Sequence, residues 1–201
     1  MRKRLVPFRN ALVILVAILL GCPSSHSRED KKPTPKVVLL VRHAEKPPDE
    51  MMSVDLSAVG QKRAGALPGL FVKSPSRPGP LPTPDFIFAA KNSKHSHRCT
   101  ETVAPLAKKL DLEVNAEFAN DDFAKLATEI LGNPKYAGKT ILICWHHGNL
   151  PGLTKKLGGT GAPDHWKSRV FDRVWQITYA SSGEATVEDL PQRLLSDDSK
   201  K

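Results

Sequence analysis

Cysteine is scarce, three in 201 residues, too few for a disulfide-built scaffold. Aromatic residues are thin at 6%, with only two tyrosines. Trp166, Phe171 and Trp175 read as core or loop packing, with no case for base stacking. The longest apolar run spans residues 11–20, well short of the roughly 20 residues a membrane helix needs. The glycine cluster Gly158-Gly159-Thr160-Gly161 lacks the Lys-Ser/Thr of a phosphate-binding P-loop and reads as a flexible loop. No internal repeat is visible. What remains is ordinary globular stock, 40% hydrophobic and 25% charged. It excludes bulk disorder and a multi-pass membrane protein and gives length for one domain with a full core.

A formal charge of +9 points first to nucleic acid, but Arg2, Lys3, Arg4 and Arg9 supply four of those charges. Without them the excess is about +5, which fits binding of a small anion equally well. Residues 1–9 are basic, residues 11–20 apolar, and Leu19-Leu20-Gly21-Cys22 comes next. That order is the pattern of a secretory signal peptide. Its end resembles a bacterial lipobox, with Cys22 as the lipidated residue. We therefore expect a signal over 1–22 and an exported, membrane-anchored lipoprotein of the cell envelope. Residues 23–36 are polar and proline-rich and read as a tether. The domain is expected over 37–195, with a flexible tail at 196–201.

Continuous aliphatic runs at Lys36–Val41, Phe86–Ala90 and Thr140–Trp145 predict strands buried on both faces of a parallel sheet. Residues 174–179 and 185–187 predict a hairpin turned by Ser181-Ser182-Gly183. Between the runs lie helical patterns. Ser57 is a candidate cap for a helix carrying Gly60, Ala64 and Leu67 on one face, its small residues allowing close approach to the sheet. Thr100 or Thr102 is a candidate cap for a helix with Val103, Leu106, Ala107 and Leu110 as its stripe. Pro105 should then lie in the first turn, so that helix should start near residue 101. Phe123, Leu126, Ala127 and Ile130 mark a third helix closed by Gly132. Asn149 is a candidate cap for a short fourth that ends before Gly158. Alternation of strands and helices predicts a three-layer α/β/α sandwich with a mostly parallel sheet.

In such sheets ligands bind beyond the carboxyl ends of the strands. That rule selects Arg42-His43-Ala44-Glu45-Lys46, the segment Asn92–Arg98, and His146-His147-Gly148-Asn149. Five of the seven histidines lie there. Arginine offers planar, permanently charged donors to phosphate oxygens. A neutral imidazole can attack phosphorus, and a protonated one can stabilise the added charge. Helices starting near Arg98 and His147 would aim backbone N–H groups at an anion.

These residues carry a resemblance. Val41-Arg42-His43-Ala44-Glu45, then Leu56-Ser57-Ala58-Val59-Gly60-Gln61-Lys62-Arg63-Ala64, then Ser96-His97-Arg98-Cys99-Thr100-Glu101-Thr102, and finally Trp145-His146-His147-Gly148 resemble, in order, the motifs of the histidine phosphatase (phosphoglycerate mutase-like) superfamily. The match runs from about residue 37 to 160. The resemblance implies a metal-independent phosphomonoester hydrolase without cofactor, acting on a small phosphorylated substrate. His43 would be the nucleophile, and Arg42 and Arg98 would hold the phosphoryl group. The second histidine is His147 by its neighbouring glycine or His146 by its place after the strand, with His147 favoured. A general acid is not marked by any motif; Glu45, Glu117, Asp121 and Asp122 are candidates by position. If none reaches the site, turnover would be confined to good leaving groups or lost. Two other readings stay open: a surface lipoprotein that binds phosphorylated ligands without turnover, and a zinc hydrolase using His95, His97, His146 and His147. Specificity is expected from residues 47–56, 74–85 and 113–122. Cys99 and Cys144 read as free thiols, Cys144 as a small core residue.

Overall fold

The computed structural model describes residues 34–48, 53–75 and 77–199. The expected signal segment, Cys22 and most of the tether lie outside the described residues. The domain begins before Val37: Gly138 N–H donates to Thr34 O and Lys36 N–H to Lys139 O, at 2.9 Å each. The last tether residues thus already belong to the fold.

Strands β1 (Val37–Arg42), β2 (Phe86–Ala89), β3 (Val114–Asn115), β4 (Thr140–Trp145), β5 (Gly159–Thr160), β6 (Arg173–Tyr179) and β7 (Ala185–Pro191) form one sheet in the order β3-β2-β4-β1-β6-β7-β5. Four of the six pairings are parallel; β6 runs antiparallel to both β1 and β7. Every residue of β1 and of β4 is buried. This is why both read as unbroken aliphatic runs: a strand covered on both faces has no polar side. Helices α1 (Ala58–Ala66) and α2 (Arg98–Leu110) pack on each other, as do α3 (Phe123–Gly132) and α4 (Leu150–Lys156). Among the described residues no helix is long and apolar enough to cross a membrane.

Several local expectations need correction. Helix α2 starts at Arg98 and runs through Pro105, and neither Thr100 nor Thr102 caps it. Thr102 instead donates back to Arg98 O at 2.7 Å. A mid-helix proline costs about 3 kcal/mol. Burial of Cys99, Val103, Leu106 and Ala107 on the inner face outweighs it, since each large apolar side chain contributes about 1.5–3 kcal/mol. Gly60 does approach something closely, but not the sheet. A Cβ there would lie 2.3 Å from Glu45 O, in the loop after β1. Gly132 ends α3 without a left-handed turn, whereas Gly158 takes φ +81 after α4. The cluster at 158–161 is no free loop, because Gly159 and Thr160 pair with β7. The expected flexible tail is tied down as far as Ser199. The Asp198 carboxylate accepts from Leu194 N–H and Leu195 N–H, and Ser199 N–H donates to Asp172.

Candidate active site

Parallel pairing of β1 with β4 sets Arg42 beside Trp145. The ladder continues one step further, with His43 N–H donating to Trp145 O at 3.2 Å. Arg42-His43 and His146-His147 therefore leave the sheet side by side. Strand β2 lies on the far side of β4, and Ala90 N–H donates to Cys144 O at 3.1 Å. The loop after β2 then delivers Arg98 at the start of α2. Thr102 locks this corner: its hydroxyl donates to Arg98 O and accepts from Ala44 N–H at 2.9 Å. In the sequence Thr102 closes the motif around Arg98 and reads only as a candidate helix cap. The structure shows it joining the turn that carries His43 to the turn that carries Arg98.

Arg42 and His43 are almost wholly buried, at 2% and 3% exposure. His43 Nδ1 lies 2.7 Å from Ala44 O. A carbonyl only accepts, so Nδ1 carries the proton and Nε2 keeps its lone pair. Burial pushes the His43 pKa down to about 3, with Arg42, His146 and Arg98 adding to the fall. The imidazole is thus neutral in the fold at physiological pH. The ring set edge-on against His43, 5.2 Å between centroids, is that of His146. The sequence reading favours His147, which is half-buried, its pKa lowered by burial and by the charges of Arg42 and Lys46.

Two guanidinium groups share this corner. Burial, and then repulsion from Arg98, lower the Arg42 pKa to about 10. Nε of Arg42 and Nε of Arg98 are buried and have no hydrogen-bond partner among the described residues. Arg98 Nη1 donates to Ser53 O at 3.1 Å. Arg42 Nη1 donates to Ser168 O and to Val170 O, and its guanidinium lies 3.9 Å from the centroid of the Phe171 ring. No local signal in the sequence marks Ser168–Phe171 as part of a site, because these residues reach it only through the return of β6 beside β1. Beside Arg98 a groove of about 360 Å³ opens, lined by Lys46, Pro47, Ser53, Lys94 and His95.

The four acid candidates fare differently. Glu45 is bound by Arg63, whose Nε and Nη2 donate to it at 2.7–3.0 Å. Arg63 also holds Asp198 at 2.7 Å. Burial works against the Arg63 charge, yet the bonds to Asp198 and Glu45 outweigh it and raise the pKa. Asp122 pairs with Lys125 at 2.7 Å, which lowers its pKa. Glu117 and Asp121 are exposed. Glu117 accepts from Asn115 Nδ2 at 3.5 Å, and Asp121 from Asn149 Nδ2 at 3.3 Å. No carboxylate of this set is seen against His43.

The zinc set does not assemble. His95 sits exposed at the tip of the turn closed by Ser93 and Ser96. His97 turns away to Asp55, with Nδ1 3.0 Å from Oδ1. Among the described residues the cluster with metal-ligand spacing is Asp55, His97 and Glu101, within 4.8 Å of one another. It shares only His97 with the expected four. Cys99 and Cys144 are free and buried. The two thiols meet each other and Cys99 meets His146, while burial holds the Cys144 thiol well above its ordinary pKa.

No family model matches the chain, and no curated protein matches it by sequence. Solved structures do. The protein histidine phosphatase SixA complexed with tungstate is similar at 14% identity and a TM-score of 0.53, over 78% of this chain and 97% of that one. Phosphoglycerate mutase from Plasmodium falciparum is similar at 13% and 0.52, over 84% and 98%. The corresponding enzyme from Bacillus anthracis is similar at 13% and 0.50, over 79% and 94%. The chain therefore has the fold shared by histidine phosphatases and phosphoglycerate mutases, with Arg42, His43, Arg98 and His146 gathered at its strand ends.

Proposed function

We propose that this protein is a phosphomonoester hydrolase that works through a phosphohistidine on His43. One observation carries the reading: two mutually repelling guanidinium groups, each with a buried and unpartnered Nε–H, stand beside a neutral imidazole. A buried N–H without an acceptor is costly, and a tetrahedral oxyanion would satisfy both and offset the repulsion. The tungstate held by the SixA structure is an anion of that shape.

In this reading a phosphoryl group enters with its oxygens on Arg42 and Arg98. Nε2 of His43 attacks phosphorus as the bond to the leaving oxygen breaks, and Nδ1–H stays on Ala44 O. The imidazolium that forms is covered by the charge of the attached phosphoryl group. His146 is the second histidine, because its ring is the one against His43; it donates to a phosphoryl oxygen. Water then attacks phosphorus, the P–N bond breaks, and neutral His43 returns with phosphate released. The arginines supply the positive charge the transition state needs, a contribution of the kind worth about 10²–10³ in rate per donor. With Glu45 held by Arg63 and Asp122 by Lys125, leaving-group protonation is weakly served. The substrates are therefore small phosphorylated compounds with good leaving groups, which would extend into the groove beside Arg98. We further propose export and lipid anchoring at Cys22, on the pattern of residues 1–22.

The test is acid-quench trapping with a labelled aryl phosphate in excess EDTA. Label should appear on His43 in the wild type and be absent from His43→Ala. Turnover that survives in His43→Ala, or that EDTA abolishes and zinc restores, would end this reading. Tight phosphate binding with no trapped label and no turnover would favour the non-enzymatic ligand-binding reading.

A further inference from the structure

Arg42 needs something to keep it in place. It is buried next to Arg98, whose like charge pushes against it. A long side chain facing a like charge gains by swinging away unless its surroundings hold it. The segment before β6 supplies that hold. One guanidinium edge is fixed by Nη1 donating to the carbonyls of Ser168 and Val170. One face is covered by Phe171, 3.9 Å from Cζ to the ring centroid. The same ring stands 6.1 Å from the His43 ring. With one edge and one face occupied, Nε–H is left as the buried unpartnered donor.

The segment is itself anchored. Trp166 is buried, and its indole N–H donates to Val170 O at 2.8 Å, the same carbonyl that receives Arg42. Its ring packs on Trp175 of β6, 4.9 Å between centroids. Trp175 lies beside Leu40 of β1, two residues before Arg42. A closed circuit thus runs from β1 through β6, Trp166 and the Val170 carbonyl back to the Arg42 side chain.

We propose that Phe171 is a positioning residue for Arg42: its ring face, together with the Ser168 and Val170 carbonyls, holds the guanidinium in the phosphate site against repulsion from Arg98. The inference rests on the proposed function, in which Arg42 binds the phosphoryl group. An aromatic face holds a cation through the ring quadrupole, which leucine of similar bulk cannot supply and tyrosine can. Preorganised donors bind better than donors that must be ordered at the moment of binding.

The experiment compares Phe171→Leu and Phe171→Tyr in the full chain, alone and with Arg42→Ala. Tungstate affinity is read by calorimetry, and folding is checked by thermal unfolding. Phe171→Leu should weaken tungstate about 3- to 30-fold, the range of a cation–π contact from exposed to desolvated. Phe171→Tyr should stay within about twofold of wild type, because it keeps the face. In the Arg42→Ala background the leucine change should have no further effect, since there is no guanidinium left to place. The proposal is overturned if Phe171→Leu binds tungstate like wild type while Arg42→Ala does not. An equal leucine penalty in both backgrounds overturns it as well. If Arg42→Ala itself binds tungstate normally, the phosphate clamp and this inference fall together. If the leucine pattern holds but no phosphohistidine can be trapped, Phe171 retains its role at an anion site and the hydrolase reading alone is lost.

Discussion

Acid should weaken this fold through His43 as the pH drops below the ordinary histidine pKa. The imidazole is 3% exposed and its pKa falls from 6.5 to about 3 on folding. The fold therefore favours the neutral form, and the unfolded chain takes up a proton first. Stability from this group is complete above pH 6.5 and is lost progressively as pH falls toward 3. One proton taken up on unfolding corresponds to about 1.4 kcal/mol per pH unit. Integrated over the titration, the loss is about 0.1 kcal/mol at pH 7.5 and about 2.7 kcal/mol at pH 4.5. A folded pKa of about 4 would change the second figure only to about 2.6 kcal/mol, because most of the loss accrues above pH 4.5. The assay is urea unfolding monitored by tryptophan fluorescence, from pH 7.5 to 4.5, in phosphate-free buffer. Wild type is compared with His43→Gln, a neutral side chain that cannot titrate. Contributions from His147 and Asp198, whose pKa values are also lowered, are present in both proteins and largely cancel in the difference. The gap between the two curves should shift by about 2.6 kcal/mol across this range, against wild type at low pH. Parallel curves would show that His43 is solvated or protonated in the fold, and the neutral-nucleophile argument would fail with them.

Arg63→Met should cost about 1–3 kcal/mol, since it leaves the half-buried Glu45 and Asp198 carboxylates without their cation; adding Asp198→Asn should recover part of it, and an unchanged urea midpoint in the single variant would refute the network. Gly60→Ala should cost about 1–3 kcal/mol, because its Cβ meets the Glu45 carbonyl at 2.3 Å and must displace the loop after β1; a melting temperature equal to wild type would mean that the loop yields freely. In a bacterial host the full chain should partition into detergent and Cys22→Ser should not, as expected when attached acyl chains provide the anchor; equal partition of both proteins would remove the lipoprotein proposal.

Which segments would be buried strands, and which polar residues lie just beyond them, is legible in residue order. A strand covered on both faces must be apolar throughout, so β1, β2 and β4 announce themselves. Parallel sheets gather the loops at the carboxyl ends of their strands, so Arg42, His43, Arg98 and the His146-His147 pair belong to one site before any coordinate is known. Boundaries and partners are less legible. Pro105 reads as a first-turn residue when local cost is weighed without the buried face that outweighs it. The choice between His146 and His147 turns on which ring faces across two strands, and adjacent positions in a chain cannot show that. Glu45 reads as an available acid until Arg63, 18 residues on, and Asp198, near the far end, close around one another. Ser168, Val170 and Phe171 carry no motif at all. They meet Arg42 only because β6 returns antiparallel beside β1 and brings the preceding turn over the strand end. Side-chain chemistry and hydrophobic pattern are properties of the residues and travel with the sequence. Contacts between distant segments depend on strand order and crossover, and only the folded chain decides those.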